Sequence, residues 1–154
     1  MKTYVLMLSR VFPKGHPCEG KPTGFREKKE EGVKKHTIRS NAELWERHAA
    51  EINAGRAVLS VRQWSGRPYE KGSRQIEIAR HTELGTQRVT LDFHAPWNKA
   101  VGVHQDSGDI HYPCFLDVAR NDGLSADDFV AWFMNTGKGP VLNGVILHFT
   151  DMRY

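Results

Sequence analysis

The chain has little cysteine and no long hydrophobic run. Cys18 and Cys114 are the only cysteines in 154 residues, and neither belongs to a C-x-x-C pair. A disulfide-rich scaffold is therefore excluded, because such domains need several cross-links. No apolar stretch approaches the roughly 20 residues that span a bilayer. The opening residues also have no signal-peptide hydrophobic region or cleavage site, so we expect a cytoplasmic protein that does not enter a membrane.

The motifs that identify several common enzyme classes are also absent from the sequence. It contains no G-x-S-x-G, Walker, G-x-G-x-x-G or H-E-x-x-H pattern. Residues 137–140 (GKGP) lack the strand–loop–helix context of a phosphate-binding loop, so a plain turn is expected there. His16 and Cys18 are two possible metal ligands, but zinc normally needs at least three ligands from the protein. We predict neither a metal nor a cofactor.

Charge is spread unevenly along the chain. Residues 1–80 contain 17 Lys and Arg against 9 Asp and Glu, a net charge of +8, whereas residues 81–154 contain 5 against 9, a net charge of −4. Hydrophobic residues make up 39% and charged residues 26%, which is typical of one globular domain over residues 1–154. A basic half of this kind attracts polyanions, although solubility alone also accounts for it.

The hydrophobic pattern predicts an α+β fold. Alternation and β-branched residues predict strands over 4–11, 35–39, 56–64, 74–84, 87–95 and 141–150, with a hairpin over 100–112. Helices are predicted over 25–32, after the cap Asn41 and after the cap Ser125, with 113–121 a short helix or a turn. Strands and helices do not alternate, which favours a small, mostly antiparallel, barrel-like sheet flanked by two or three helices.

Basic and aromatic residues cluster in two places in the first half of the chain. Basic side chains attract phosphates, and aromatic rings beside them can stack an unpaired base. The alternative is that the aromatic rings pack in the core or under a loop. The nucleic-acid-binding candidates are Lys34, Lys35, Arg39, Arg62, Trp64, Arg67 and Tyr69.

Gly32-x-Lys34-x-x-Thr37-x-Arg39 resembles the G-x-K-x-x-T-x-R element of ASCH domains, which have a PUA-like fold. The stretch at 121–133 (NDGLSADDFVAWF) is similar to the acidic residue and Gly-Leu step that precede a late helix in that family. The stretch at 144–150 (GVILHFT) resembles the family's last strand. The resemblance implies a small β-barrel with flanking helices, a cleft beside the Lys-Thr-Arg element, and RNA or a modified nucleoside as ligand.

The same resemblance implies a possible reaction. Some small members of the family look like amidohydrolases that act on acylated cytidine with a Lys, a Thr and a Glu. Lys34 and Thr37 match the first two, and the acidic position falls on Asp122, whose side chain is one methylene shorter than glutamate. A Thr hydroxyl needs a neighbour to take its proton. Lys34 could do so only if its pKa were lowered, whereas Asp122 could orient the lysine or act as acid or base.

Three functions therefore remain open. The first is binding of RNA, single-stranded nucleic acid or a nucleoside in a basic cleft, and the second is hydrolysis of an acylated nucleoside. The third is a protein-interaction module that uses the loop at 12–24 and exposed aromatic residues. They differ in whether the Lys-Thr-Arg element and Asp122 line one pocket, and in whether Trp64 or Tyr69 forms its wall.

Overall fold

A computed structural model of the chain describes residues 1–135 and 139–154, so Gly137 and Lys138 of the predicted GKGP turn lie outside it. The described residues form eight strands, four α-helices and one short 3₁₀ helix. The strands are β1 (Lys2–Met7), β2 (His36–Arg39), β3 (Ala57–Trp64), β4 (Gln75–His81), β5 (Gly85–Asp92), β6 (Val101–His104), β7 (Ile110–His111) and β8 (Val141–His148). The helices are α1 (Phe25–Glu30), α2 (Ala42–Asn53), α3 (Phe115–Asn121) and α4 (Ala126–Met134), with the 3₁₀ helix at Trp97–Lys99. None of these helices is long and apolar enough to cross a membrane.

The strands form two separate sheets. One has the order β1-β3-β4 and the other the order β2-β8-β5-β6-β7. All strand pairs are antiparallel except β1 with β3. The prediction of an α+β fold is confirmed. The prediction of a barrel-like sheet is wrong, because the two described sheets do not close into a barrel. Where β2 approaches the end of β1, a side chain replaces the backbone ladder: Arg39 Nη2 donates to the carbonyl oxygen of Met7 at 2.7 Å.

The local signals for helix boundaries are confirmed. Asn41 Oδ1 accepts from the backbone N–H of Leu44 at 3.3 Å, and Ser125 Oγ accepts from that of Asp128 at 3.2 Å. Gly55 follows Ala54, the C-cap residue of α2, and has a φ of +78°. Glycine adopts this left-handed conformation without a steric cost. The segment 113–121, predicted to be a short helix or a turn, contains the helix α3. The described residues therefore form four α-helices, whereas two or three were predicted.

One hydrophobic cluster joins both sheets to the helices. Leu59 of β3 and Leu91 of β5 are fully buried, as are Ile52 of α2, Val118 of α3 and Phe129 of α4. Burying a side chain of this size contributes about 1.5–3 kcal/mol relative to leaving it exposed. This packing therefore holds the ends of the helices at fixed positions over the sheets.

Strand β2 is covered on both of its faces. Ile38 is 3% exposed, and its neighbours His36 and Thr37 are 0% and 4% exposed. Side chains on both faces of the strand are therefore buried, in spite of the many basic residues around it. On the partner strand, a Cβ at Gly144 would collide with the backbone oxygen of Arg39. Glycine there lets β8 approach β2 closely and enclose it.

Candidate active site

A cavity of about 230 Å³ lies beside β2, where α1, α4 and the end of α3 meet it. Four of its lining residues are polar groups singled out by sequence: Lys34, Thr37, Arg39 and Asp122. Its other described lining residues are Leu8, Ser9, Phe25, Ile38, Trp132 and Phe133. All three residues implied to be catalytic therefore lie in one pocket.

Strand geometry places two of the four polar groups, Thr37 and Arg39. Thr37 and Arg39 are two residues apart on β2, so their side chains lie on the same face. Arg39 Nη1 donates to Thr37 Oγ1 at 2.7 Å and to the Ile38 carbonyl oxygen at 3.1 Å. Burial lowers the pKa of Arg39, but a guanidinium stays charged in proteins. Because Thr37 Oγ1 accepts from this charged donor, its own hydrogen remains free to be donated to a base.

The other two polar groups meet where α3 ends. Asp122 is the C-cap residue of α3, and the backbone N–H of Lys35 donates to the carbonyl oxygen of Asn121 at 2.7 Å. Lys34 Nζ donates to the Asp122 carbonyl oxygen at 2.5 Å and lies 3.6 Å from Asp122 Oδ1. The next residue, Gly123, has a φ of +85°, and a Cβ there would come within 3.3 Å of the Lys34 side chain. Glycine thus permits the turn to close over the lysine.

Lys34 is an unusual lysine because it is buried. It is 2% exposed, and its Nζ lies 4.2 Å from the centre of the Phe25 ring. Burial lowers the pKa of Lys34 to about 8, and the positive charge of Arg39 acts in the same direction, while Asp122 opposes both. At pH 7 roughly one such lysine in ten is neutral, against about one in three thousand with an ordinary pKa. A neutral amine can accept a proton.

Asp122 is buried as well, at 4% exposure. Although it lies in the turn between α3 and α4, it is therefore not a solvent-exposed turn residue. Its Oδ1 lies 3.2 Å from His36 Nδ1 in addition to its contact with Lys34. The missing methylene, relative to glutamate, does not keep the carboxylate out of the cavity, because the backbone at the end of α3 itself reaches the lysine.

Comparisons of this chain with protein-family models, with curated proteins and with solved structures found no match. The chemistry of the cavity must therefore be inferred from its own residues and from the resemblance of the Lys-Thr-Arg element.

The predicted aromatic residues lie next to the cavity and do not line it. Trp64, Arg67 and Tyr69 line an adjoining depression of about 430 Å³, which shares Leu8 and Ser9 with the cavity. The Trp64 and Tyr69 rings are 4.9 Å apart at an angle of 58°. Tyr69 is 88% exposed and has a φ of +62°. We call this surface the aromatic shelf.

Two predicted basic residues lie elsewhere. Lys35 borders a wide depression, together with Arg120 and Tyr154, that does not include the cavity residues among its described lining. Arg62 on β3 donates to Ser60 Oγ at 2.9 Å and to Gln75 Oε1 at 3.1 Å. The structure thus distributes the predicted basic cluster over separate surfaces.

The cavity wall contains aromatic residues that sequence reasoning did not place there. Trp132 lies on α4, which the sequence predicted as a helix, but the sequence did not indicate that this side chain lines a cavity. Its ring lies 5.6 Å from that of Phe25 and 5.8 Å from that of Phe12. Phe12 opens the long loop at 12–24, which a bridge between Val11 and Pro22 folds back on itself. That loop therefore serves to hold the wall of the cavity.

His16, Cys18 and Asp128 bring their side-chain ligand atoms within 4.8 Å of one another. The sequence named the first two as possible metal ligands and did not identify the third. His16 Nδ1 accepts from the backbone N–H of Cys18 at 2.9 Å, so Nε2 carries the proton and donates to the Asp128 carbonyl oxygen at 3.1 Å. A metal at Nε2 would have to displace this proton. The hydrogen bonds of His16 instead join the loop at 12–24 to α4, and we call this connection the loop latch.

Proposed function

We propose that this protein is a small amidohydrolase that removes an acyl group from a modified nucleoside. The observation that carries the proposal is the cavity in which a buried lysine with a lowered pKa lies beside Asp122 and Thr37. The resemblance of the Lys-Thr-Arg element to ASCH domains supports the choice of substrate class. In this proposal Thr37 is the nucleophile, Lys34 is the base and acid, and Asp122 orients Lys34.

The cavity residues suggest how the reaction would proceed. Thr37 Oγ1 attacks the acyl carbon and passes its proton to neutral Lys34. The C–N bond then breaks, and protonated Lys34 returns the proton to the leaving amine. Water then attacks the acyl ester of Thr37 while Lys34 takes its proton, and Lys34 returns that proton to Thr37 Oγ1 as the free acid leaves. Arg39, which already donates to Thr37 Oγ1 at 2.7 Å, stabilises negative charge on that oxygen.

The dimensions of the site favour a small substrate with two parts. A volume of about 230 Å³ lies below the roughly 300–1,000 Å³ of pockets that hold a whole drug-sized ligand. The cavity therefore suits an acyl group, and the adjoining aromatic shelf of about 430 Å³ suits a flat ring. Trp64 and Tyr69 would stack that ring, and Arg67 borders the same shelf.

A second candidate function is binding of single-stranded nucleic acid without catalysis. The exposed Tyr69 ring against Trp64 favours it, because such rings stack bases of any sequence. The cavity favours it less: Arg39 donates to neighbouring protein oxygens and Lys34 to Asp122, so neither is directed toward a phosphate backbone. The protein-interaction alternative would be supported by Lys34 and Arg39 splayed away from any concavity, and both line one.

The test is a panel of N-acylated nucleosides, with release of the free acid followed over time. We expect Lys34→Met and Thr37→Val to lower kcat/KM by about 10²–10⁴-fold, the usual contribution of a positioned acid or base. Lys35→Met is the matched control and should retain activity, because Lys35 is adjacent to Lys34 in sequence but borders a different depression. Mass spectrometry of the quenched reaction should detect an acyl adduct on Thr37.

Two results would overturn this proposal. One is turnover that is unchanged in Lys34→Met, which would remove the base from the mechanism. The other is a wild-type protein with no turnover of any acylated nucleoside but with binding of single-stranded RNA that weakens as salt rises. Loss of that binding in Tyr69→Ala would then identify the aromatic shelf as the functional surface.

A further inference from the structure

A buried chain of hydrogen bonds runs from Asp122 to the other side of β2. Asp122 Oδ1 lies 3.2 Å from His36 Nδ1, and His36 Nε2 lies 2.7 Å from the Tyr154 hydroxyl. Asn121 Nδ2 donates to that hydroxyl at 2.9 Å. His36 is 0% exposed, so these protein groups are its hydrogen-bond partners in place of solvent.

The direction of each hydrogen bond follows from the outer end of the chain. The Tyr154 oxygen accepts from the Asn121 amide, which leaves its hydrogen for His36 Nε2. Burial raises the pKa of Tyr154 to about 12, so the hydroxyl keeps that hydrogen at neutral pH. With Nε2 accepting, the proton of the neutral imidazole resides on Nδ1 and is donated to Asp122 Oδ1. One tautomer of His36 satisfies every group.

This arrangement has a consequence for Lys34. The carboxylate oxygen that accepts from His36 is also the one that lies 3.6 Å from Lys34 Nζ, longer than a direct hydrogen bond. A carboxylate that already accepts from an imidazole attracts a neighbouring ammonium less strongly. If the imidazole donor were lost, Asp122 could turn fully toward Lys34 and favour its charged form.

We propose that His36 and Tyr154 are positioning residues, which fix the Asp122 carboxylate so that its ion pair with Lys34 stays at 3.6 Å, longer than a direct hydrogen bond. The catalytic consequence rests on the proposed function, whereas the arrangement of the groups does not. The ionisable groups facing Lys34 are Asp122, Arg39 and Lys28, and those facing His36 are Asp122, Tyr154 and His148. Burial lowers the pKa of His148 to about 3, so it stays neutral throughout the range tested.

The first experiment determines the His36 tautomer by nitrogen NMR of the full chain labelled at histidine. We expect His36 to be protonated on Nδ1 in the wild type. Tyr154→Phe should move it toward the Nε2-protonated form, because Nε2 then has no donor. Tyr112→Phe, at a tyrosine that is 42% exposed, is the control and should change nothing. Protonation on Nε2 in the wild type would overturn the proposal.

The second experiment compares two isosteric replacements of His36. In His36→Asn the amide nitrogen takes the place of Nδ1 and keeps a donor for Asp122, whereas in His36→Gln it takes the place of Nε2 and the donor is lost. Carbon NMR titration of labelled lysine should show the pKa of Lys34 raised in the Gln variant by about one unit or more, and near wild type in the Asn variant. Equal effects of the two variants would reduce His36 to a packing residue and refute the proposal.

The proposed reaction enters only in a third measurement, the pH dependence of kcat/KM. Its rising limb should move to higher pH in His36→Gln and stay in place in His36→Asn. A wild-type protein without hydrolase activity would sink the proposed function alone, because the tautomer and the lysine pKa are read without substrate. An active enzyme with a wrong His36 tautomer would sink the positioning role alone.

Discussion

The buried Lys34 makes the stability of the protein depend on pH in a defined way. Burial lowers the pKa of Lys34 from 10.5 in the unfolded chain to about 8 in the folded one. Between these values the folded chain binds fewer protons than the unfolded chain, so the free energy of unfolding rises with pH. Below pH 8 both states are protonated and the folded state carries the whole cost of the buried charge. Above pH 10.5 both are neutral and this cost is gone.

The size of the effect follows from the shift. At 1.36 kcal/mol per pKa unit, the difference between 10.5 and about 8 corresponds to about 3 kcal/mol in total. Roughly 2.5 kcal/mol of this should be gained between pH 7 and pH 10. Tyr154, whose pKa is raised to about 12, acts in the opposite direction above pH 10. Measurements should therefore stop at pH 10.

The assay is urea unfolding followed by tryptophan fluorescence at several pH values, for the wild type and for Lys34→Met. The methionine variant keeps the apolar stem but cannot titrate, so the difference in free energy of unfolding between the two proteins isolates Lys34. This difference should change by about 2.5 kcal/mol in favour of the wild type from pH 7 to pH 10. Lys35→Met, a change at the adjacent position, should run parallel to the wild type.

The reasoning is refuted if the wild-type and Lys34→Met free energies run parallel over that pH range. Such a result would mean that Lys34 reaches water in solution and has an ordinary pKa. It would also remove the general base from the proposed reaction, whatever activity the protein shows.

Three other predictions concern packing and the loop latch. Gly123→Ala should lower the free energy of unfolding by about 2–4 kcal/mol, because the new Cβ would sit at a positive φ and in close contact with two side chains. Its control is Gly108→Ala, at a φ of +92° in open space, which should lower it by only about 1–2 kcal/mol. Leu59→Ala, at a fully buried core position, should cost about 2–5 kcal/mol, whereas Leu116→Ala, at a side chain 61% exposed, should stay within about 0.5 kcal/mol. Equal losses within either pair, measured by urea unfolding, would contradict the packing described. Added Zn²⁺ should not raise the Tm, because His16 Nε2 donates its proton to a carbonyl oxygen; a concentration-dependent rise would show that the latch opens to bind metal.

Local chemistry made part of the fold predictable. The caps Asn41 and Ser125 lie where their side chains can accept from the first turn of the helix that follows, and a β-branched pair marks β2. Such signals depend on neighbours a few residues apart, so the sequence contains them directly. The arrangement of the strands in two separate sheets was harder to predict from the sequence. The side chain of Arg39 joins the end of β1 to β2, and no local pattern indicates that a hydrogen bond of this kind replaces the strand pairing that a barrel would need.

The candidate site divides in the same way. The sequence by itself determined that three of the chemical groups stand close together, since Lys34, just before β2, and Thr37 and Arg39, on β2, lie within six positions. Only the tertiary structure decided that Lys34 is buried and that Asp122, 88 residues away along the chain, closes over it. The same holds for Tyr154, which is 118 residues from His36. A pKa is set by burial and by charges within a few ångströms, and both depend on how the whole chain packs. For this reason the sequence could not indicate that part of its basic run lines a buried cavity.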